Sequence, residues 1–261
     1  MGSIVRLLQA NIPGVYVHSL MIGDDIAQDV TNGFFMGINQ QVDLVCKKIK
    51  SDANLSQGFN AIGFSQGSQF WRAYVQRCNV PPVHTLISIG GQHQGVFGIP
   101  HCPGANNTLC ETMRRLVGLG AYIPWIQDKV VQAQYWHDAV DNESYMKGNI
   151  WLPDINNAGS IKNETYKKNL ISLKNFVMVK FEGDKMVQPI ESSWFGFYKS
   201  GQGILIEPLR ESRLYQEDWL GLKTLDKENR LHFLSAPGDH LRFSNAWFIQ
   251  NIIRNFLNTT Q

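Results

Sequence analysis

The 261 residues carry 24 basic and 22 acidic side chains, a net charge of +2 with no basic cluster. This argues against a nucleic-acid or anionic-membrane partner, and Arg114-Arg115 and Lys167-Lys168 read as solvated surface. No apolar run is long enough to span a bilayer, and no repeat or low-complexity linker interrupts the chain. With 43% hydrophobic residues, residues 1–261 suffice for one α/β domain. No cofactor and no metal are expected.

In chain order, Met1 to Leu8 reads as a helix. Arg6 stands where a myristoylation signal starting at Gly2 needs Ser or Thr. Val15 to Leu20 reads as the first strand. The apolar positions Ile38, Val42, Val45 and Ile49 describe an amphipathic helix. Gly58 to Ile62 then reads as a buried strand and Ser68 to Val75 as a helix, with Gly63-Phe64-Ser65-Gln66-Gly67 between them. Strand, sharp turn and helix are the context in which Gly-x-Ser-x-Gly projects a nucleophilic serine from a sheet. The alternative is a glycine-rich connection whose serine only caps the helix.

A strand at Leu86 to Ile89 leads into Gly90-Gly91-Gln92-His93-Gln94-Gly95. Residues 92–170 are too many for a simple crossover and include helical patterns such as Val130 to Trp136. They read as a helical cap or small lobe inserted over the site. The segment is dense in aromatics, with Tyr122, Trp125, Tyr135, Trp136, Tyr145 and Trp151. Some of these could line a groove for an acyl chain, each buried methylene contributing about 0.8 kcal/mol. The strand Phe176 to Phe181 runs into Glu182-Gly183-Asp184, and Leu231 to Leu234 leads through Pro237-Gly238 to Asp239-His240.

A serine hydroxyl needs a base to take its proton. Ser65, then Asp184, then His240 is the chain order of an α/β-hydrolase, a mostly parallel sheet flanked by helices. His240 is the expected base and Asp184 the group that fixes its tautomer. The amide of Gln66, next after the serine, is the expected oxyanion donor. Glu182 and Asp239 compete for the acid role. His18 and His232 lie in strand patterns, and His84, His101 and His137 have no motif around them. His93 could border the site but precedes the acid strand.

These residues resemble the palmitoyl-protein thioesterases. The resemblance runs through Ile12 to Val17, the serine pentapeptide, Gly90 to Gly98, Tyr135 to Asp138, Tyr166 to Leu170, Trp194 to Tyr198 and Gly238 to Leu241. It implies hydrolysis of the thioester joining palmitate to cysteine in S-acylated proteins during lysosomal degradation, by Ser65, His240 and Asp184. Where relatives often place a second acid four residues after Asp184, this chain has Gln188. In the family the first helix follows a strand and a His-Gly loop that supplies a second oxyanion donor. Neither precedes the helix here, which opens the alternative of a weakly active or inactive form. A general lipase or carboxylesterase would use the same triad.

Cys46 and Cys78 flank the elbow on neighbouring helical patterns, while Cys102 and Cys110 bracket a short loop. Both arrangements permit disulfides, and four reduced buried thiols are the alternative. The resemblance implies the pairings Cys46–Cys78 and Cys102–Cys110. Acceptor sequons at Asn54, Asn106, Asn142, Asn163 and Asn258 add weight to a lysosomal or secreted parent, although no signal peptide is present.

Overall fold

The computed structural model describes residues 1–97 and 120–258. Helix α1 (Gly2–Asn11) is followed by α2 (Ile26–Phe35), whose cap Asp25 accepts from the Gln28 amide, and by α3 (Ile38–Lys50). In α3 the stripe Ile38, Val42, Val45 and Ile49 is buried, as its spacing requires. Strand β1 (Phe59–Phe64) turns directly into α4 (Gln66–Arg77), and β2 (Val83–Ile89) returns beside β1.

A run of short helices follows: α5 (Pro124–Lys129), α6 (Val131–Gln134), α7 (Asn142–Gly148), α8 (Leu152–Ile155) and α9 (Glu164–Ile171). Then come β3 (Asn175–Phe181), a small hairpin of β4 (Phe197–Tyr198) and β5 (Ile206–Glu207), α10 (Arg213–Gln216) and α11 (Leu222–Lys227). Strand β6 (Leu231–Ala236), α12 (Asn245–Phe248) and a π-helical continuation over Ile249–Leu257 close the fold.

The main sheet has the order β1-β2-β3-β6 and every pairing is parallel. Its two middle strands are buried almost throughout because both faces are covered. Successive residues alternate between two cores. Leu86, Phe176 and Met178 pack with α3, α4 and the inserted helices, while Ile87, Ile89, Val177 and Val179 pack with Leu8, Phe248, Ile252 and Ile253 on the other face. This layering is that of an α/β-hydrolase.

Two sequence readings are corrected. Val15 to Leu20 forms no regular element and pairs with no strand among the described residues. Alternating side chains need only one buried face, whereas a ladder needs a neighbour about 4.8 Å away. Here a cavity of about 480 Å³ is bounded on one side by residues 15–20 and on the other by the outer edge of β1. The helical pattern Val130 to Trp136 is broken at its first residue, where Val130 is extended, and α6 ends at Gln134. Boundaries shift elsewhere, with α4 beginning at Gln66 and not at Ser68.

The inserted helices dock on α4. The Trp151 indole donates to Gln69 Oε1 at 3.2 Å, and Arg77 reaches Asp154 at 2.6 Å. Of the six aromatics named above, Tyr135, Trp136, Tyr145 and Trp151 are buried in the larger core, whereas Trp125 is 62% exposed. None of the six lines the cavity beside β1. A disulfide joins Cys46 on α3 to Cys78 at the end of α4 across 32 residues of sequence. Closing a loop of that length stabilises by about 4 kcal/mol through the entropy of the unfolded chain. Cys102, Cys110, His101 and Asn106 lie outside the described residues.

Candidate active site

Because all four strands run in one direction, their C-terminal ends lie together, and loops leaving those ends meet. Ser65 follows β1 and caps α4 with φ 51° and ψ −122°, a strained conformation for a residue with a side chain. Its amide donates to the Ile89 carbonyl at 2.8 Å, so the elbow is tied to the end of β2. Gly63 is required, since a Cβ there would come within 2.5–2.6 Å of the Gly67 carbonyl and the Ser68 backbone. At Gly67 a Cβ would meet open space. The two glycines of the motif therefore do different work, and only the first is demanded by close approach.

Asp184 stands three residues beyond β3 and is 4% exposed. Its Oδ1 accepts from the amides of Met186 and Val187 at 2.8 and 2.9 Å, leaving Oδ2 free to face His240 Nδ1 at 2.7 Å. His240, four residues beyond β6, presents Nε2 to Ser65 Oγ at 2.9 Å. With a carboxylate facing Nδ1, the proton is assigned to that nitrogen, so Nε2 accepts from the serine hydroxyl. The acid and histidine loops are stitched together by the Gly183 amide donating to the Gly238 carbonyl at 2.8 Å.

The rival acids are occupied elsewhere. Asp239 Oδ1 accepts from the His240 and Lys185 amides at 2.7 and 3.1 Å and so shapes the turn. Glu182 is half-exposed and lies 3.4 Å from Lys180. Gln188 donates from its side chain to the Asp184 carbonyl at 2.7 Å. As the first residue of α4, Gln66 has an amide without an intrahelical partner, at the positive end of the helix. Its side chain donates to the Gly33 carbonyl of α2 at 3.1 Å.

The other described histidines make structural contacts. His18 meets Asp52 at 3.1 Å, His84 the Gln57 carbonyl at 3.2 Å and His232 the Asn175 amide oxygen at 2.8 Å. Buried His93 shares a hydrogen bond with Ser88 Oγ at 2.8 Å. His137 is stacked between Tyr145 and Phe197 at 3.8 and 4.0 Å, and burial pushes its pKa down to about 4. Below pH 6.5 the unfolded chain takes up a proton there that the folded protein refuses. Stability from this site is therefore complete above that pH and falls as the pH drops towards 4. Between pH 7 and pH 5 the loss should be about 2 kcal/mol. Urea unfolding of wild type and His137→Phe at both pH values should show the smaller pH dependence in the variant.

One neighbour of the base carried no sequence signal of its role beyond the Gly-Gly pair. Gly90 has φ +63°, and a Cβ there would lie 3.2 Å from His240 Cε1 and from the Phe181 ring, so the loop after β2 backs the imidazole. Its main-chain path is set by tertiary bonds, including His93 N to the Ser192 carbonyl at 3.0 Å.

A parallel sheet with a strained serine elbow and a Ser-His-Asp hydrogen-bond chain at its C-terminal ends defines a serine hydrolase of the α/β-hydrolase class. The family described as palmitoyl protein thioesterase matches residues 1–240. The chain is 52% identical over 256 residues to palmitoyl-protein thioesterase 1 of Caenorhabditis elegans, covering 98% of this chain and 85% of that protein. It is 38% identical over 233 residues to palmitoyl-protein thioesterase 3 of Dictyostelium discoideum, covering 89% and 77%. Lysosomal thioesterase PPT2 of Homo sapiens is 29% identical over 174 residues, covering 66% and 56%. The chain belongs to the palmitoyl-protein thioesterase family, and it is a thioester hydrolase.

Proposed function

We propose that this protein removes palmitate and related long acyl chains from cysteine in S-acylated proteins. The observation that carries this reading is the chain Ser65–His240–Asp184, at 2.9 and 2.7 Å, within a sequence 52% identical to a palmitoyl-protein thioesterase. Ser65 Oγ attacks the thioester carbonyl as its proton passes to His240 Nε2. The oxyanion forms beside the Gln66 amide. Collapse breaks the carbon–sulfur bond, and His240 returns its proton to the leaving cysteine thiolate. Water, deprotonated by the same imidazole, then attacks the acyl-serine, releasing fatty acid and restoring Ser65. Asp184 stabilises the imidazolium in both halves.

In this reading residues 92–170 form a cap within the single domain, held to α4 by Trp151, Asp154 and Ile155. A lysosomal or secreted location is supported by the Cys46–Cys78 bridge and by exposed sequon asparagines at Asn54, Asn142, Asn163 and Asn258. The partners are S-palmitoylated proteins or peptides and fatty acyl thioesters.

The test compares a palmitoylated cysteine peptide with the matching serine oxygen ester. The thioester should give a kcat/KM at least about tenfold higher, since each tenfold corresponds to about 1.4 kcal/mol of transition-state preference. Equal values would assign a general esterase. No turnover of either would assign an acyl-binding protein.

A further inference from the structure

The strand order β1-β2-β3-β6 puts the strand that delivers Ser65 and the strand that delivers His240 on opposite edges of the sheet. Three spacings of about 4.8 Å, roughly 14 Å in all, separate them, so the loop after β6 has to fold back across the strand ends before His240 can reach the serine. Main-chain bonds tie other neighbouring pieces of the site together. The Ser65 amide is on Ile89, the Gly90 amide on the Val179 carbonyl at 2.9 Å and the Gly183 amide on the Gly238 carbonyl. Among the described residues no main-chain hydrogen bond joins the serine elbow to the histidine loop. Aromatic rings make that connection. Phe64, the residue before Ser65, stacks on Phe243, three residues after His240, with ring centroids 6.3 Å apart and planes inclined by 13°. Phe181, three residues before Asp184, stacks on Phe243 at 6.3 Å and 25° and meets the His240 imidazole edge to face at 6.3 Å and 64°. Each arm of the triad thus contributes one ring, and Phe243 is common to both stacks.

We propose that Phe243 is a positioning residue for the reaction: by stacking on Phe64 and Phe181 it sets where the histidine loop lies across the sheet, and so holds His240 Nε2 within reach of Ser65 Oγ. This rests on Ser65 and His240 being the reacting pair. Rings suit the task because aromatic pairs prefer particular mutual orientations as well as separations, and so constrain angle together with distance. The stack is also rooted. Phe243 lies 5.6 Å from Phe248, inclined by 21°, and Phe248 is 0% exposed in the core beneath the sheet. Placement matters here because the Nε2 to Oγ contact is 2.9 Å, and displacing reacting groups by about 1 Å can cost on the order of 10² in rate. Phe243 has no polar side-chain atom to offer the reacting carbonyl. Acylation and deacylation both use His240, so a loosened histidine loop lowers kcat and leaves KM in place.

Steady-state kinetics on a palmitoylated cysteine peptide, the rate of fluorophosphonate labelling and a thermal melt should be measured for wild type, Phe243→Ala, Phe243→Tyr and Ile252→Ala. Phe243→Ala should lose at least about tenfold in kcat and in labelling rate while KM stays within about twofold. Phe243→Tyr keeps the ring, and at this half-buried position its hydroxyl can turn to solvent, so both rates should stay within about twofold of wild type. Ile252 is buried in the same core but belongs to no triad loop. Ile252→Ala should melt at lower temperature and keep both rates. The proposal is overturned if Phe243→Ala keeps full kcat, if Phe243→Tyr falls with it, if KM rises while labelling holds, which would mark a substrate contact, or if Ile252→Ala loses as much rate as Phe243→Ala. If Phe243→Ala does not fold, Phe243→Leu, apolar but without a ring, decides by the same ratios. Failure of the wild-type protein to label at Ser65 would overturn the serine reading itself, and the proposal with it; normal labelling at Ser65 with an unaffected Phe243→Ala overturns the proposal alone.

Discussion

Ser65→Ala should lower kcat for a palmitoyl thioester by about 10⁶-fold, because serine and histidine act as a unit and losing the nucleophile forfeits the covalent route. A fluorophosphonate probe should label the wild-type protein and leave the alanine variant unlabelled. The variant should still fold. Among the described residues the Ser65 hydroxyl hydrogen-bonds only to His240, and the elbow is held by main-chain groups, the Ser65 amide on Ile89 and the Ser68 amide on the Ser65 carbonyl at 2.9 Å. Alanine also tolerates the φ of 51° no worse than serine does. Matching labelling of both proteins, or a loss below about tenfold, would remove Ser65 from the role.

Asp184→Asn should cost about 10⁴-fold in kcat with little change in stability. The direction follows from the two amides that fix the side chain. Met186 N–H and Val187 N–H both donate to Oδ1, and in asparagine that position stays an oxygen because only oxygen accepts. The NH₂ group is thereby forced to face His240 Nδ1 and donates to it. The imidazole proton must then sit on Nε2, which can no longer accept from Ser65. Steady-state kinetics and a thermal melt check both halves. A fall of less than tenfold in kcat would return the acid role to Glu182 or Asp239.

Local patterns carried a good deal. The Ser65 elbow was legible because a strand, a glycine-bounded turn and a helix are each short-range signals, and the α3 stripe was legible because one buried helical face imposes its period on Ile38, Val42, Val45 and Ile49. The order Ser65, Asp184, His240 could be read because each lies in a loop leaving a recognisable strand. Sequence alone therefore determined the class of fold, the family and the short set of candidate side chains.

Tertiary structure decided the rest, since choosing among neighbours depends on contacts between residues far apart in the chain. Asp184 and Glu182 are two residues apart, and only the register of β3 against β6 shows that one meets His240 while the other faces Lys180. The same holds for Val15 to Leu20, whose alternation resembled a strand but whose pairing depended on what stands beside β1. Arg72 falls within the helical pattern Ser68 to Val75, which by itself says nothing of its burial. It is buried because the inserted segment, some eighty residues later, brings Ile155 and Asn156 to its guanidinium, and no local period encodes a contact at that separation.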